Sequence, residues 1–294
     1  MNSYRSFMTI FFFASISLIK GQDVLNRNEN YQKNHVKDVK VYEYGFRKGK
    51  VKGRGKLLFH EIYDSSGFKT SSFSYAPGEY HQEYKYDSLG NMIAETGYVL
   101  NDPVTTTYKY KFDEHSRIIE KTANDFNGKW HYRYNEAGNM TRSTWFLYGE
   151  RDPKIYFIDS FIYDGKNKIV QMIRYNNTGD VYFYKNYEYD SVGNLVKEIR
   201  LTPPLHAVEF KVKLPFHAAL ETLGENGDTT DCWVYHYDAR RNRIASETYD
   251  RRKKKMMGWN KTVYSDKGLI TEECGKVSSE EKEFYRKYVY EFYK

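Results

Sequence analysis

The feature that most constrains the fold of this chain is a short pattern that recurs along most of its length. It consists of two aromatic residues at alternate positions, then Asp or Asn, then Gly three positions later. The pattern is clearest from Tyr187 to Leu195, and it recurs from Tyr84 to Met92 and from Tyr132 to Met140. Looser copies begin at Tyr63-Asp64, Phe112-Asp113, Tyr163-Asp164, Tyr237-Asp238 and Tyr264-Ser265. Each copy holds the end of one strand, a turn and the start of the next strand.

The residues of the pattern match the chemistry of a tight turn. Asp, Asn or Ser at the first turn position accepts a hydrogen bond from the backbone two residues on, and Gly at the fourth position supplies a positive φ. Ser116 and Asn167 stand where Gly is expected, and Arg241-Asn242 suggests one added residue. The predicted structural turn residues are Asp64, Gly67, Asp87, Gly90, Asn135, Gly138, Asp190, Gly193, Asp238 and Gly268.

The spacing of the copies predicts the fold class. The Asp-equivalent positions 64, 87, 113, 135, 164 and 190 are 23, 26, 22, 29 and 26 residues apart, which is enough for two strands and two turns. We therefore expect an all-β protein, an antiparallel meander of hairpin repeats forming a curved, twisted sheet or a partly closed barrel. The 30 Tyr and 18 Phe among 294 residues suit half-buried strands. Residues 41–294 are predicted to form a single domain.

One break interrupts the repeats, an irregular insertion at 201–227. It holds three of the six prolines, and Pro215 and Gly224 are placed to begin and end a helix over 216–223. The insertion is either a degenerate repeat with extra residues or a functional loop over one end of the sheet.

The N-terminus predicts export. Residues 1–21 contain Arg5, then an apolar run, then Lys20-Gly21, and this is typical of a secretory signal peptide. The run is shorter than the roughly 20 residues of a spanning helix, which argues against a membrane anchor, and no later segment is apolar enough to span, so no transmembrane segment is expected after signal removal. Residues 22–40 are polar and predict a loosely ordered arm. The mature protein would be secreted, periplasmic or on the cell surface.

The repeats resemble the YD repeats of the RHS family, whose pattern runs Tyr-x-Tyr-Asp-x-x-Gly-Arg/Asn-Leu. The resemblance covers about Leu58 to Thr271 and is specific in the copies ending at Leu195, Met92 and Met140. It implies an antiparallel sheet that winds around itself, export or surface display, and binding of carbohydrate or cell surfaces or enclosure of a toxin. No Asp-Pro-x-Gly-type boundary or distinct C-terminal cassette is present, so toxin delivery is not the function that we expect.

The sequence offers little for catalysis. It contains no phosphate-binding Gly-rich loop, no Gly-x-Ser-x-Gly, no His-Glu-x-x-His and no paired-Cys metal spacing. We therefore expect no enzyme, no cofactor and no metal, although a glycosidase carboxylate pair has no sequence signature. The net charge of +7 is mild and predicts no nucleic-acid partner.

Two groups of residues are candidates for ligand binding. Trp145 and Trp259 lie near predicted strand ends, where their rings suit stacking on sugars, whereas Trp130 and Trp233 are better explained as core. A basic run between two predicted strands suits an anionic ligand, although a solvated loop is the usual explanation. The run begins with Arg251, Arg252 and Lys253, which are the candidate ligand residues.

These observations favour a non-enzymatic exported repeat protein that binds carbohydrate, such as a surface glycan, or a protein partner. The alternative is a structural or assembly component of an envelope or secretion-associated complex, and a glycan-active enzyme is third. Cys232 and Cys274 are expected on strands that two others separate, about 14 Å apart, which predicts two free thiols.

Overall fold

The computed structural model describes residues 28–47, 49–75, 79–99, 102–124, 128–148, 153–202, 228–250, 255–278 and 282–294. The prediction of an all-β antiparallel meander is confirmed, since the described residues lie almost entirely in strands and the turns between them. Several predictions fall wholly or partly outside the described residues: the signal peptide over 1–21, residues 22–27 of the arm predicted over 22–40, all but the first two residues of the insertion at 201–227 with its helix over 216–223, and the residues Arg251, Arg252 and Lys253.

The described elements are helix α1 (Glu29–Lys33) and strands β1 (Val36–Arg47), β2 (Lys50–Tyr63), β3 (Lys69–Ser74), β4 (Tyr80–Tyr86), β5 (Met92–Val99), β6 (Asp102–Phe112), β7 (Ile118–Ala123), β8 (Gly128–Tyr134), β9 (Met140–Tyr148), β10 (Pro153–Tyr163), β11 (Ile169–Tyr175), β12 (Val181–Tyr189), β13 (Leu195–Thr202), β14 (Asp228–Tyr237), β15 (Arg243–Asp250), β16 (Lys255–Tyr264), β17 (Ile270–Lys276) and β18 (Phe284–Phe292). Among these elements, no helix has the length and apolar character that crossing a bilayer requires.

Helix α1 and the start of β1 occupy most of the segment that the sequence suggested to be a loose arm. Asn28 caps the helix by accepting a hydrogen bond from the backbone of Tyr31 at 3.2 Å. The ring of Tyr31 then packs edge-on against Tyr63 at 4.8 Å and Tyr290 at 5.9 Å. Those contacts join residues far apart in sequence, so no local pattern reveals them.

The strands belong to two compact units. The first contains described residues up to Val39, Phe59–Met140 and Tyr290–Lys294, and the second contains Lys40–Leu58 and Thr141–Val289. In the first unit β3 to β8 pair in sequence order, and in the second β9 to β18 do so, followed by β1 beside β18 and β2 beside β1. Every neighbouring pair with a resolved register is antiparallel, as short hairpin connections require.

The motif turns share one geometry. In the turn after β12, the Asp190 carboxylate accepts backbone hydrogen bonds from Val192 at 3.1 Å and Asn194 at 2.7 Å, and Gly193 has φ of 97°. Equivalent bonds are made by Asp64, Asp87, Asp113, Asn135, Asp164, Asp238 and Ser265. A left-handed fourth residue and a side-chain acceptor at the first position therefore define every motif turn.

Two details of the turns were not anticipated. Arg241, with φ of 65°, occupies the position of the motif glycine, and the next residue donates to Asp238, so this turn has no added residue. The connection between β11 and β12 is also of the motif type, with Asn176 as acceptor and Gly179 at φ of 90°. The side-chain acceptor holds the turn even where the fourth residue is not Gly.

The second motif tyrosine fixes the register between successive repeats. The hydroxyl of Tyr189 donates to the carbonyl of Ile169, the first residue of β11, at 2.9 Å. Tyr86, Tyr134, Tyr237 and Tyr264 bond the first residues of β3, β7, β13 and β15 in the same way. Where Phe112 lacks a hydroxyl, Tyr110 bonds Met92 instead, at 2.7 Å. The bond from Tyr237 to Leu195 spans the insertion, so the repeat geometry continues after it.

The meander gives the second unit two different ends. The motif turns after β10, β12, β14 and β16 all lie at one end, which we call the motif end, because alternate connections of a meander share an end. The C-terminal ends of β1, β9, β11, β13, β15 and β17 lie at the opposite end, which we call the connection end.

Other side-chain predictions have clear outcomes. Trp130 packs against the cluster of Met92, Tyr108 and Ala123, as expected of a core residue. Cys232 lies on β14 and Cys274 on β17, with β15 and β16 between them, and both thiols are free. The prediction from the meander is therefore confirmed.

Candidate functional site

Five aromatic side chains gather near the connection end of the second unit. They are Trp145, Tyr156, Phe157, Tyr182 and Phe183, and we call them the aromatic cluster.

Two irregularities in the strand pairing build this cluster. Ile155 pairs with Phe146 and Phe157 with Trp145, which leaves Tyr156 as an extra residue in β10. Arg174 pairs with Phe183 and Tyr175 with Val181, which leaves Tyr182 as an extra residue in β12. A bulge of this kind re-aims a side chain that regular alternation would send to the opposite face.

Each ring contacts the next one along the chain, from β9 through β10 to β12. Ring centroids are 4.7 Å apart between Trp145 and Tyr156, 4.5 Å between Tyr156 and Phe157, and 5.9 Å between Phe157 and Tyr182. The last pair is stacked at an interplanar angle of 24°. Tyr182 is 48% exposed, whereas Phe183 beside it is 1% exposed. Tyr182 is therefore the outer ring of a packed cluster.

The guanidinium groups of Arg174 and Arg200 pack against rings of the aromatic cluster. Arg174 lies 5.0 Å from the ring centre of Phe157 and 5.3 Å from that of Phe183, within the range of cation–π attraction. Asp159 fixes this guanidinium by accepting two hydrogen bonds, at 2.7 and 2.8 Å. Arg200 covers the ring of Phe183 at 4.4 Å. The half-exposed Tyr182 thus rests on a rigid base, which limits the side-chain entropy that a ligand would have to remove.

The two predicted ligand tryptophans lie on well-separated strands. Trp145 belongs to the aromatic cluster, where it is half-buried and packed against Tyr156. Trp259 lies half-buried on β16, with six strands between it and the strand of Trp145, and the Lys261 ammonium is 6.0 Å from its ring centre. Asp250 pairs with Lys255, so the strands that flank the run containing Arg251, Arg252 and Lys253 end at the connection end.

Sequence reasoning missed Tyr182. It was overlooked because regular alternation assigns Tyr182 and Phe183 to opposite faces. A signal was present: Tyr182, Phe183 and Tyr184 follow directly on one another after the turn at Asn176, and three consecutive aromatics break the alternating pattern.

A second row of rings, in the first unit, also escaped the sequence analysis. His60, Phe73, His81 and Tyr98 are cross-strand neighbours on β2 to β5, with ring centroids 5.6, 4.2 and 4.6 Å apart. Interplanar angles of 24°, 8° and 5° show that the rings stack face to face. Since each ring covers the face of the next, this row is packing and offers a ligand mainly its edges.

The most strongly perturbed carboxylate of the first unit is Glu120. It accepts hydrogen bonds or ion pairs from Lys111 at 3.0 Å, Lys129 at 2.8 Å and His131 at 3.1 Å. Partial burial would raise the pKa of Glu120, but the ammonium groups of Lys129 and Lys111 outweigh it and lower the pKa to about 2. Glu120 is therefore a stable anion in a cross-strand ion network. Within the described ranges, no three His, Cys, Asp or Glu side chains come together as a metal site would require.

No protein-family model matches the chain, and no curated protein matches it. Among solved structures, the chain is similar to one in a TcdB2-TccC3-Cdc42 complex, at 11% identity over 84% of this chain, with a TM-score of 0.33. This chain spans 14% of the length of that one.

Two smaller structures are also similar. One is a porin-like protein from Bacteroides uniformis ATCC 8492, at 10% identity over 88% of this chain and 97% of the other, with a TM-score of 0.39. The other is a DUF3836 family protein from Parabacteroides distasonis ATCC 8503, at 17% identity over 32% of this chain and 97% of the other, with a TM-score of 0.22. At such identities the likeness concerns the fold alone.

Proposed function

We propose that the protein is a non-enzymatic, exported YD-type repeat protein that binds carbohydrate through the aromatic cluster. The observation that carries the proposal is the half-exposed ring of Tyr182, stacked on Phe157 at the connection end. A tyrosine ring offers an apolar face to the C–H groups of a sugar and a polar edge to its hydroxyls. Loops and strand ends on a rigid scaffold are also where binding residues concentrate.

Tyr182 is more exposed than the residues packed around it, and this difference supports the proposal. Phe183 is fully buried, and the guanidinium of Arg174 is already held by Asp159. These groups make the cluster stiff and leave Tyr182 as its contact surface. Replacement of Tyr182 should therefore affect binding much more than folding.

The test is a glycan array of neutral saccharides, followed by titration of the best ligand. Tyr182→Ala should weaken binding about tenfold or more, since loss of about 1.4 kcal/mol changes a binding constant by a factor of ten. Phe112→Ala is the matched control, because Phe112 is a 40% exposed aromatic in the first unit. Its affinity should equal that of the unaltered protein.

Two results would contradict the proposal: equal affinity of both variants, or no saccharide bound by the unaltered protein. In the second case a structural or assembly role becomes the preferred hypothesis. Export is tested separately by N-terminal sequencing of the protein from the native cell, which should show cleavage near Gly21.

A further inference from the structure

The hairpin of β1 and β2 is rich in positive charge. Positions 47–56 contain six cations and no acid. The cations are Arg47, Lys48, Lys50, Lys52, Arg54 and Lys56.

The basic side chains of this hairpin face solvent. Lys50, Lys52, Arg54 and Lys56 stand at every second position of β2, and all four are exposed. Arg47 at the end of β1 is exposed as well. Among the described residues, none of these five side chains makes an ion pair.

Basic residues on several other strands form ion pairs with acids on neighbouring strands. Lys185 pairs with Glu198 on the neighbouring strand at 2.6 Å, and Lys197 pairs with Glu188 at 2.8 Å. Further cross-strand pairs join Lys69 to Glu61, Lys111 to Glu120, Arg174 to Asp159 and Arg286 to Glu43. Many strand cations of this protein therefore pair with an acid on a neighbouring strand, whereas none of the five described cations of the β1–β2 hairpin does.

This charge is unfavourable for the isolated protein. Positions two apart on a strand are about 6.8 Å apart, which is less than the roughly 8 Å screening length at physiological salt. Neighbouring ammonium groups on β2 therefore repel one another, and a bound anion would remove that repulsion. Gly49 and Gly53 have left-handed φ values of 73° and 76°, and nothing lies within 4 Å of the position that a Cβ would take at either residue.

We propose that the β1–β2 hairpin binds an acidic polysaccharide, with carboxylate or sulfate groups along the row of cations on β2. A row of charges that follows one extended strand complements a linear polyanion. Positions 47–56 hold no aromatic residue, whereas sites for single-stranded nucleic acid stack bases on aromatic rings. The nearby ring of Tyr44 packs over Gly55 on the neighbouring strand, and this contact covers one face of the ring.

The experiment uses the full mature chain, with heparin as the sulfated probe and polygalacturonate as the carboxylated one. The variant Lys50→Gln/Lys52→Gln/Arg54→Gln should bind the preferred probe at least tenfold more weakly, with a shallower salt dependence because fewer counterions are released. The matched control removes three exposed charges from motif turns of the same unit, Lys166→Gln/Arg240→Gln/Lys267→Gln. Its affinity should change less than threefold.

A charge-preserving variant guards against misfolding as the cause. Lys50→Arg/Lys52→Arg should keep the affinity of the unaltered protein, and the melting temperatures of all variants are compared. Binding of either probe supports the proposal, and the preferred probe identifies the anionic group.

Three results would overturn the proposal. They are equal losses in the hairpin and control variants, no binding of either probe, or tighter binding of a single-stranded oligonucleotide than of both. The proposal is independent of the site at Tyr182. Tyr182→Ala should keep heparin binding, and the hairpin variant should keep binding of the neutral saccharide, so either proposal can fail alone.

Discussion

The two ends of the second unit differ in how their geometry is specified. At the motif end, each turn uses the same set of groups: an acceptor such as Asp190, a left-handed residue such as Gly193, and a tyrosine hydroxyl such as that of Tyr189. At the connection end, the described features are two β-bulges, the half-exposed ring of Tyr182 and the basic β1–β2 hairpin.

The difference shows how a repeat can combine a fixed register with a variable surface. Hydrogen bonds at the motif end align each hairpin with the previous one, so the opposite end does not need a repeated geometry to keep the strands in place. Side chains at the connection end are then available for binding. The comparison predicts that substitutions at the motif end change stability, and that those at the connection end change binding.

The largest expected effect on stability comes from a residue outside the motif turns, so it departs from this simple division. Gly258 lies on β16 outside any motif turn, so the motif pattern alone predicts that its replacement by Val costs less than at Gly90 or Gly193. That expectation does not fit the packing: a Cβ at Gly258 would lie 2.5 Å from the carbonyl oxygen of Val277 and 2.7 Å from that of Lys276. Backbone cannot move aside cheaply, so Gly258→Val should cost about 3 kcal/mol or more. Denaturant unfolding measures it.

The matched variant is Gly138→Val, at a motif turn. Gly138 has φ of 80°, and nothing lies within 4 Å of the position that its Cβ would take, so the variant isolates backbone strain of about 1–3 kcal/mol. If Gly138→Val costs as much as Gly258→Val, the close approach between β16 and β17 does not exist as described.

A smaller effect is expected from the tyrosine hydroxyls of the motif end. Tyr189→Phe removes the hydrogen bond to the carbonyl of Ile169 and should lower the free energy of unfolding by about 1 kcal/mol. Tyr182→Phe, at the connection end, should change it by less than about 0.5 kcal/mol, as is usual for an exposed site. Equal values for the two variants would show that the repeated hydroxyl bond does not stabilise the register.

The motif end was predictable from sequence because its chemistry is local. Asp190 and Gly193 lie within four residues of every backbone group that they fix, so the pattern itself encodes the turn. Even there, the sequence pattern wrongly suggested an added residue at Arg241, because a long side chain such as Arg rarely takes a left-handed conformation.

The connection end was less predictable because its features depend on register. The extra residues Tyr156 and Tyr182 become visible only when the partner strands are aligned. The six cations of positions 47–56 are plain in the sequence, but their significance rests on the acids that pair with Lys185 and Lys197 elsewhere. Likewise, helix α1 depends on a contact between Tyr31 and Tyr290.

The smallest expected effect concerns the charge of the turn acceptors. Slight desolvation would raise the pKa of Asp190, but hydrogen bonds from the backbone and side chain of Asn194 and the backbones of Gly193 and Val192 lower it below its ordinary value of 3.8. A carboxylate whose pKa falls on folding contributes stability that is fully present above its unfolded pKa. That contribution is lost as the pH falls through the folded pKa.

Asp190→Asn should therefore destabilise the protein slightly at neutral pH, and the difference should shrink when unfolding is measured at a pH below 3.8. The protein contains its own neutral reference, since Asn135 makes the equivalent bond to the backbone of Asn139 at 2.9 Å without a charge. The reverse change, Asn135→Asp, should add stability at neutral pH and none in acid. If neither substitution changes the pH dependence of unfolding, the turns depend on the acceptor oxygen alone, and the preference for Asp over Asn at the motif end has another cause.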